Sequence, residues 1–225
     1  IAAVIDAVPV ITTATDINHA FAVDEWARRQ GLYVAEPERI KAVSAKLLSG
    51  EPITIRSILP ISGERPDGVS LAQEGTADIW VDYRRHYALL LVPRVLTLGV
   101  GCKRGISCET MESAFAAFCK KEQISEKAVL SANSIDLKNR EAGLLAFCEA
   151  HHWALATYPA EKLAAVPGEF TGSGFVKAVT GVDNVCERSA VCAAGEDGRL
   201  IAGKFCHEGV TLALAEKPLA LTWRW

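Results

Sequence analysis

The sequence predicts an α/β protein of two small α/β domains, the C-terminal one a three-layer sandwich around a mixed, partly parallel sheet. Two observations lead to this fold class. Over the second half of the chain, short β-branched and aliphatic runs alternate with segments that carry apolar residues at helical spacing. A polar break at Arg84, Arg85 and His86 precedes that alternating half. We therefore predict domains at residues 1–90 and 91–225.

Composition excludes several classes of protein. The chain has 225 residues, of which 50% are hydrophobic and 23% charged, which is typical of a globular protein and not of a disordered one. A net charge of −3 gives no general attraction to nucleic acid or membrane, and the apolar runs are too short to span a bilayer. The seven cysteines form no Cys-x-x-Cys pair, so we interpret them as reduced thiols of a cytoplasmic protein and predict no metal site in the protein.

The first half of the chain indicates helices and strands in close succession. Ile1–Val8 is typical of a helix end and Pro9–Thr13 of a strand, so we expect further sequence upstream of residue 1. Asp24 can cap a helix over Glu25–Gln30, and a second helix runs from about Pro37 to Gly50. The other predicted elements of this half are a strand at Pro52–Leu59, a loop at 60–76, and strands at Ala77–Tyr83 and Leu89–Val92.

The second half alternates between strands and helices. Strand Val95–Gly99 leads into a glycine-rich turn, and Ser107 is placed to cap the helix that follows. That helix carries one apolar stripe of Met111, Ala114, Phe115 and Phe118. The remaining predicted elements are strand Val129–Ile135, helix Glu141–Ala150 with Leu144, Leu145 and Cys148 inward, strand Trp153–Thr157, helices Ala160–Val166, Phe175–Thr180 and Asn184–Ala194, and an antiparallel pair Leu200–Phe205 and Val210–Ala215.

The turn at residues 99–105 reads Gly-Val-Gly-Cys-Lys-Arg-Gly. Its glycines allow a tight turn, and the N–H groups of the next helix, with Lys103 and Arg104, make an anion site. The Gly-x-Gly-x-x-x-Gly spacing departs from the dinucleotide pattern, and no Ser or Thr follows the lysine as in a P-loop. A sharp strand-to-helix turn with solvated charges explains the same residues equally well.

Two further segments carry polar residues after a strand or before a helix. Asn133–Glu141 follows a strand, where α/β proteins place ligand sites, and Asp136, Lys138 and Glu141 bring both signs of charge to its loop. In Gly181–Ser189, Asp183 or Asn184 would cap a helix and place Glu187 in its first turn, as a general base or a capping-box partner. For both segments the local pattern favours plain helix capping.

Motifs in this order point to a known family. The second half contains Leu-Gly-Val-Gly-Cys-Lys-Arg-Gly at 98–105, Ser-Ile-Asp-Leu-Lys at 134–138 and Val-Thr-Gly-Val-Asp-Asn-Val-Cys-Glu at 179–187. Pro-Val-Ile-Thr-Thr-Ala-Thr-Asp at 9–16 and Phe-Ala-Val-Asp-Glu-Trp-Ala at 21–27 precede them. These stretches resemble the CbiG family of cobalt-precorrin-5A hydrolases, with residues 1–90 similar to the end of its N-terminal domain plus its middle region. The family's segment before residue 9 is absent, and Gly-Ser-Gly at 172–174 replaces its usual Pro-Ser-Glu.

The resemblance implies an enzyme of anaerobic cobalamin (vitamin B12) biosynthesis. Its substrate is a cobalt-bound tetrapyrrole with a δ-lactone on ring A. Water opens the lactone, the methylated meso carbon leaves as acetaldehyde, and cobalt-precorrin-5B remains. Cobalt arrives inside the substrate, so no cofactor is expected on the protein. The implied partners are this substrate, other pathway enzymes that receive the product, and a second copy of the chain in a homodimer.

Roles for individual residues follow as hypotheses. Lys103 and Arg104 would bind substrate carboxylates, and backbone N–H groups of 101–105 would stabilise the oxyanion. Glu187 and Asp136 are the candidate catalytic bases, with Lys138 as a charge partner. The full set of candidate binding residues is Gly99, Gly101, Cys102, Lys103, Arg104, Gly105, Ser134, Asn184 and Lys204.

Two other functions remain open at this point. The C-terminal domain also resembles a standalone protein of the aerobic pathway, so a non-catalytic tetrapyrrole carrier is the alternative, and the middle region favours the hydrolase. A nucleotide-binding oxidoreductase is disfavoured by the glycine spacing.

Overall fold

The computed structural model describes residues 21–225, so the helix end and strand predicted within residues 1–13 lie outside the described part. The chain divides into two compact units. The first contains, of the described residues, 21–82, 86–91 and 220–225, and the second contains 83–85 and 92–219. Each unit combines helices with a sheet, which confirms the predicted fold class.

The first unit begins with two short helices. Helix α1 spans Val23–Arg29, and α2 spans Ile40–Leu48 directly after a 3-10 turn at Pro37–Arg39. The capping prediction for Asp24 is wrong, because Ala22 is the N-cap residue and Asp24 lies in the first turn. A carboxylate there still stabilises the helix start through the helix dipole.

The first unit also contains short strands. Strand β1 (Leu32–Val34) lies between the two helices, and β2 (Ile53–Ser57), β3 (Ile61–Ser62), β4 (Val69–Leu71), β5 (Ile79–Val81) and β6 (Leu89–Pro93), which runs on into the second unit, follow them. Five of them form a sheet in the order β1-β6-β5-β2-β4, in which β2 pairs in parallel with β4 and β5, and β5 with β6. Strands β3 and β4 lie within the predicted loop at 60–76, so that prediction is wrong there. Two or three residues are too few to show the alternation that identifies a strand.

The second unit contains five strands and five helices among the described residues. The strands are β7 (Leu96–Cys102), β8 (Val129–Ile135), β9 (Ala154–Tyr158), β10 (Arg199–His207) and β11 (Val210–Glu216). The helices are α3 (Cys108–Glu122), α4 (Ala142–Ala150), α5 (Ala160–Ala164), α6 (Gly174–Thr180) and α7 (Cys186–Ala194). No helix within residues 21–225 combines the length and hydrophobicity needed to cross a bilayer.

The strands of the second unit form one mixed sheet in the order β10-β11-β7-β8-β9. Strands β7, β8 and β9 are parallel, whereas β11 is antiparallel to both β7 and β10. Helix α7 packs across the middle of one face, and α3 and α4 pack against each other and the sheet. This arrangement is the predicted three-layer sandwich with a partly parallel sheet.

Helix α3 follows its sequence pattern closely. The Ser107 hydroxyl accepts a hydrogen bond from the Thr110 N–H at 3.2 Å, which satisfies one of the free donors at the helix start. All four residues of the predicted apolar stripe are buried. Burying a side chain as large as Phe115 or Phe118 contributes roughly 1.5–3 kcal/mol. The stripe therefore fixes the face that α3 presents to the sheet.

One inward residue of helix α4 was predicted wrongly. Leu144 and Cys148 are buried as expected, but Leu145 is 44% exposed and Phe147 is buried in its place. Positions three and four residues after Leu144 lie on its face of the helix, whereas the next residue is turned about 100° away.

Residues 220–225 complete the first unit. Strand β12 (Leu221–Thr222) pairs in parallel with β3. The Trp26 indole N–H donates to the Thr222 carbonyl at 2.7 Å, and the Trp26 and Trp223 rings stack with centroids 5.5 Å apart. The first unit is therefore assembled from segments far apart in the sequence.

Candidate functional site

A cavity of about 790 Å³ lies within the second unit, at the ends of β7 and β8 and beside the hairpin that joins β10 to β11. Its size falls in the range of small-molecule and cofactor sites. Seven candidate residues from the sequence line it: Gly101, Cys102, Lys103, Arg104, Lys138, Asn184 and Lys204. Five do not: Gly99, Gly105, Ser134, Asp136 and Glu187. The structure thus brings together the basic turn, one end of the 134–138 motif and the start of α7.

One side of the cavity is an apolar wall formed by Leu137, Phe175 and Val179. These side chains are 66%, 79% and 62% exposed, respectively. Large apolar side chains grouped at the mouth of a cavity mark a ligand or partner site more often than scattered single ones do. The wall was not predicted, because the sequence of a short helix or turn does not show which of its apolar side chains stay exposed.

The cavity also has a positively charged lining, formed by three side chains that we call the cation group: Lys103, Arg104 and Lys204. Among the residues that the structure describes, none of these three side chains forms a salt bridge. The chain of Lys103 runs along the hairpin turn, since a Cβ added to Gly209 would lie 2.7 Å from its Cδ atom. Unpaired cations beside an apolar surface suit an anionic ligand with an apolar body.

Lys138 lines the same cavity but is already paired. Its ammonium lies 3.0 Å from a carboxylate oxygen of Glu141, whose other oxygen accepts the Gly105 N–H at 2.7 Å. Burial alone would raise the pKa of Glu141, but the hydrogen bonds from Lys138 and Gly105 and the charge of Arg104 outweigh it, so the pKa is lowered. The partner of Lys138 is thus Glu141, and the predicted partner Asp136 is exposed outside the cavity.

The glycines of the basic stretch serve packing more than turning. Strand β7 continues to Cys102, so Gly99 and Gly101 lie in the strand and not in the predicted turn. A Cβ added to Gly99 would overlap the Cys186 carbonyl of α7, and one added to Gly101 would lie 2.5 Å from Thr211 Oγ1. Only Gly105 has a positive φ, of 75°. Close approach of α7 to the sheet explains Gly99, and the Thr211 side chain on β11 explains Gly101.

Two of the expected oxyanion donors of this stretch are occupied. The Gly105 N–H donates to Glu141, and the Lys103 N–H donates to the Gly209 carbonyl at 3.0 Å. An N–H that is already bonded at good distance is not available to a developing oxyanion. The N–H groups of Lys103 and Gly105 therefore have protein acceptors, and oxyanion stabilisation by the backbone of residues 101–105 stays a prediction.

Glu187 and Ser134 are buried among protein partners. Glu187 is 2% exposed and its carboxylate accepts hydrogen bonds from Thr171, Asn184 and the backbone of Lys204. The Ser134 hydroxyl donates to the Val100 carbonyl at 2.7 Å, which ties β8 to β7. Both predicted roles at the substrate stay predictions, and the contacts of both residues are structural.

The end of β10 and the turn that follows it add acid–base groups that were not among the candidate site residues. His207 and Glu208 both line the cavity. The His207 ring is 3.4 Å from Ser113 Oγ on α3 and stacks near Phe205, so its ring is engaged by the α3 layer. Glu208 is exposed, with a φ of 44°. The signal that could have found them is the register of the hairpin. Val210 on β11 pairs with Cys102 on β7, so the residues just before Val210 lie beside the basic stretch.

The cysteines near the cavity are shielded thiols or surface groups. Burial raises the pKa of Cys102 to about 11 and that of Cys186 to about 12, whereas Cys206 is exposed. No cluster of three or more His, Cys, Asp or Glu side chains suited to a metal ion occurs in the described part of the chain.

Three comparisons relate this chain to known proteins. The family described as cobalamin synthesis G C-terminus matches residues 96–215. Proteins named cobalt-precorrin-5A hydrolase from Priestia megaterium and Salmonella typhimurium are each 27% identical, over 88% and 95% of this chain. The chain spans 59% and 65% of the length of these relatives.

A solved structure is similar to part of this chain. It is the crystal structure of CobE, a protein from the cobalamin (vitamin B12) biosynthetic pathway. The two chains are 25% identical with a TM-score of 0.52, and the match covers 56% of this chain and 92% of the other.

Proposed function

Because the chain belongs to the cobalamin synthesis G C-terminus family, we propose that it acts in cobalamin biosynthesis as a cobalt-precorrin-5A hydrolase. In the proposed reaction water opens the ring A δ-lactone of the substrate. The methylated meso carbon leaves as acetaldehyde, and cobalt-precorrin-5B is the product. Cobalt enters and leaves as part of the tetrapyrrole.

The observation that carries the proposal is the pairing of the apolar wall with the cation group around one cavity. A corrin-type ring has flat apolar faces and a rim of acetate and propionate carboxylates. Leu137, Phe175 and Val179 offer surface to a ring face, while Lys103, Arg104 and Lys204 offer charge to the rim. Charge-assisted hydrogen bonds are stronger than neutral ones, and Arg can hold a carboxylate through two parallel bonds.

The proposed base is Glu208. It is the one carboxylate among the described residues that line the cavity, and it lies in the hairpin turn next to Gly209 and the Lys103 side chain. A base must reach the water that it deprotonates, and neither Glu187 nor Asp136 lines the cavity. We therefore propose Glu208 for this role in place of Asp136 and Glu187.

The test is turnover of cobalt-precorrin-5A with detection of acetaldehyde. We expect wild-type protein to release acetaldehyde and Glu208→Gln to be slower by about 10²–10⁴-fold, the usual contribution of a general base. Glu161→Gln is the matched control, because Glu161 is an exposed glutamate on helix α5 away from the cavity. Equal rates for Glu208→Gln and wild type would remove Glu208 from the mechanism.

The second candidate function is a non-catalytic carrier of the same tetrapyrrole. It is favoured by the placement of both sequence-predicted bases outside the cavity. A carrier would bind the substrate but release no acetaldehyde. This would hold for the wild type and for every variant when no other protein is present. Binding with release of acetaldehyde would exclude it.

The cation group is tested separately through binding. Replacing both Lys103 and Arg104 by alanine should weaken binding of cobyrinic acid, a cobalt corrinoid with free carboxylates, by about 10- to 100-fold at low salt. Binding of hydroxocobalamin, whose side chains are amides, should change much less. Lys120→Ala with Lys121→Ala on helix α3 is the control pair, since neither residue lines the cavity. Equal affinity of the double variant and wild type for cobyrinic acid would contradict a carboxylate-binding role.

A further inference from the structure

We propose that Glu187 is a positioning residue, which holds helix α6 and strand β10 on either side of the cavity, and is not the catalytic base. The inference rests on the proposed function, in that it concerns the same ligand cavity. It assigns a role to the Gly181–Ser189 motif that neither helix capping nor acid–base catalysis describes.

The carboxylate of Glu187 is filled by protein donors. Oε2 accepts the Thr171 N–H at 2.7 Å and an Asn184 Nδ2 hydrogen at 2.6 Å. Oε1 accepts the Lys204 N–H at 2.6 Å and the Thr171 hydroxyl at 3.1 Å. A carboxylate has about four lone-pair sites, so these donors leave none for a reacting water. With 2% of the residue exposed, a water would also have no approach.

The four bonds join three separate segments of the second unit. Glu187 itself is in the first turn of α7, Lys204 is in β10, and Thr171 precedes α6. Asn184 strengthens the same junction, because its Nδ2 also donates to the Thr171 carbonyl at 3.0 Å and its Oδ1 accepts the Glu187 N–H at 2.8 Å. We call Glu187, Thr171, Asn184 and the Lys204 backbone the Glu187 cluster.

The next residue of α7 anchors the same segment. Arg188 pairs with Asp183 at 2.9 Å, donates to the carbonyls of Leu163 and Val166, and lies 4.6 Å above the Phe170 ring. The Asp183 carbonyl in turn accepts the Ser173 N–H at 2.8 Å. The segment that precedes α6 is therefore held by two neighbouring residues in the first turn of α7, Glu187 and Arg188.

Helix α6 needs such anchors because it has little packing of its own. None of its seven residues is buried, and Phe175 and Val179 face outward at the cavity. A helix of that length has marginal intrinsic stability, so the contacts at its ends determine where it lies. The Glu187 cluster therefore sets the position of the apolar wall relative to Lys204.

The decisive experiment separates binding from turnover in Glu187→Gln. The Gln amide puts an N–H₂ group where a carboxylate oxygen accepted hydrogen bonds from N–H donors. Those hydrogen bonds should be lost, and α6 should move. We expect the Kd for cobyrinic acid to rise about 10- to 100-fold, while single-turnover acetaldehyde release at saturating cobalt-precorrin-5A stays within about threefold of wild type. A catalytic base would give the reverse, with an unchanged Kd and a loss of about 10²–10⁴-fold in the chemical step.

Two further measurements apply if that variant folds poorly or the ligand does not bind. Thr171→Val removes one hydroxyl bond and keeps the backbone N–H, and should raise the Kd about threefold; Glu161→Gln is the control. Hydrogen exchange of residues 168–181 without ligand should be faster in Glu187→Gln and in Thr171→Val than in the control. Unchanged exchange in both variants would overturn the positioning role, whereas absence of corrinoid binding by wild type would overturn the proposed function instead.

Discussion

Replacing Gly99 by alanine would place a methyl group inside the backbone of helix α7. The added Cβ would overlap the Cys186 carbonyl oxygen and lie 2.7 Å from its carbon and 2.9 Å from the Ala190 nitrogen. These atoms belong to a helix backbone and cannot rotate away as the end of a side chain can. Relief therefore requires the whole helix to move off β7.

The cost of that movement can be bounded. Inserting one methyl group into a well-packed core costs about 1–3 kcal/mol, occasionally more. We expect Gly99→Ala to lie near the upper end, at about 3 kcal/mol, because three backbone atoms are affected. For a chain of this length that free energy lowers the Tm by roughly 6–12 °C. Binding of cobyrinic acid should weaken as well, since α7 carries Glu187.

Thermal unfolding followed by circular dichroism measures the change, with two glycine variants for comparison. At Gly101 the nearest atom is Thr211 Oγ1 at 2.5 Å, a side-chain group that can rotate, so Gly101→Ala should cost about 1 kcal/mol. At Gly174 no atom lies within 4 Å, and Gly174→Ala should be neutral or slightly stabilising. A Tm for Gly99→Ala within about 1 °C of the Gly174→Ala value would refute the packing argument.

Two other predictions follow from side-chain environments. Because burial raises the pKa of Cys186 and of Cys119 to about 12, iodoacetamide at pH 8 should label exposed Cys206 first, and rapid labelling of Cys186 in folded protein would contradict the structure. Burial alone would raise the pKa of Asp78, but hydrogen bonds from Lys46 and Thr54 outweigh it, so the pKa lies below its usual value of 3.8. A carboxyl group whose pKa is lowered by folding stabilises the protein at pH values above its unfolded-state pKa. This stabilisation is lost as the pH falls through the folded-state pKa. The Tm of Asp78→Asn should therefore be below that of wild type at pH 6, and the difference should shrink below about pH 4; a gap that widens on acidification would be inconsistent with the lowered pKa.

Local patterns predicted most elements of the second unit. Strand β8 has the predicted bounds of Val129–Ile135, and the stripe on α3 faces the core as expected. Periodicity and capping depend on residues within one turn or one strand, so the sequence displays them directly. The failures at Asp24 and Leu145 are errors of two positions and one position along a helix, which the same patterns do not resolve.

The site depended on contacts that no local pattern contains. The glycines at 99 and 101 were interpreted as turn residues, but their neighbours are Cys186 and Thr211, about a hundred positions later. Glu187 was correctly placed in the first turn of a helix, yet its partners Thr171 and Lys204 come from other segments. The Lys103 and Arg104 side chains were identified because charge in a Gly-rich stretch is visible without knowing the fold.

The pairing of β12 with β3 has a consequence for synthesis of the chain. The Trp26 ring and the edge strand β3 are translated before the second unit, but Leu221 and Trp223, which cover them, are made after it. We therefore expect an aromatic surface of the first unit to stay exposed to solvent while the ribosome synthesises residues 92–219. Such exposed surface invites association with other nascent chains or capture by chaperones. A gene fragment that stops after the β10–β11 hairpin would lack that cover, and its product should be more prone to aggregation than the whole chain.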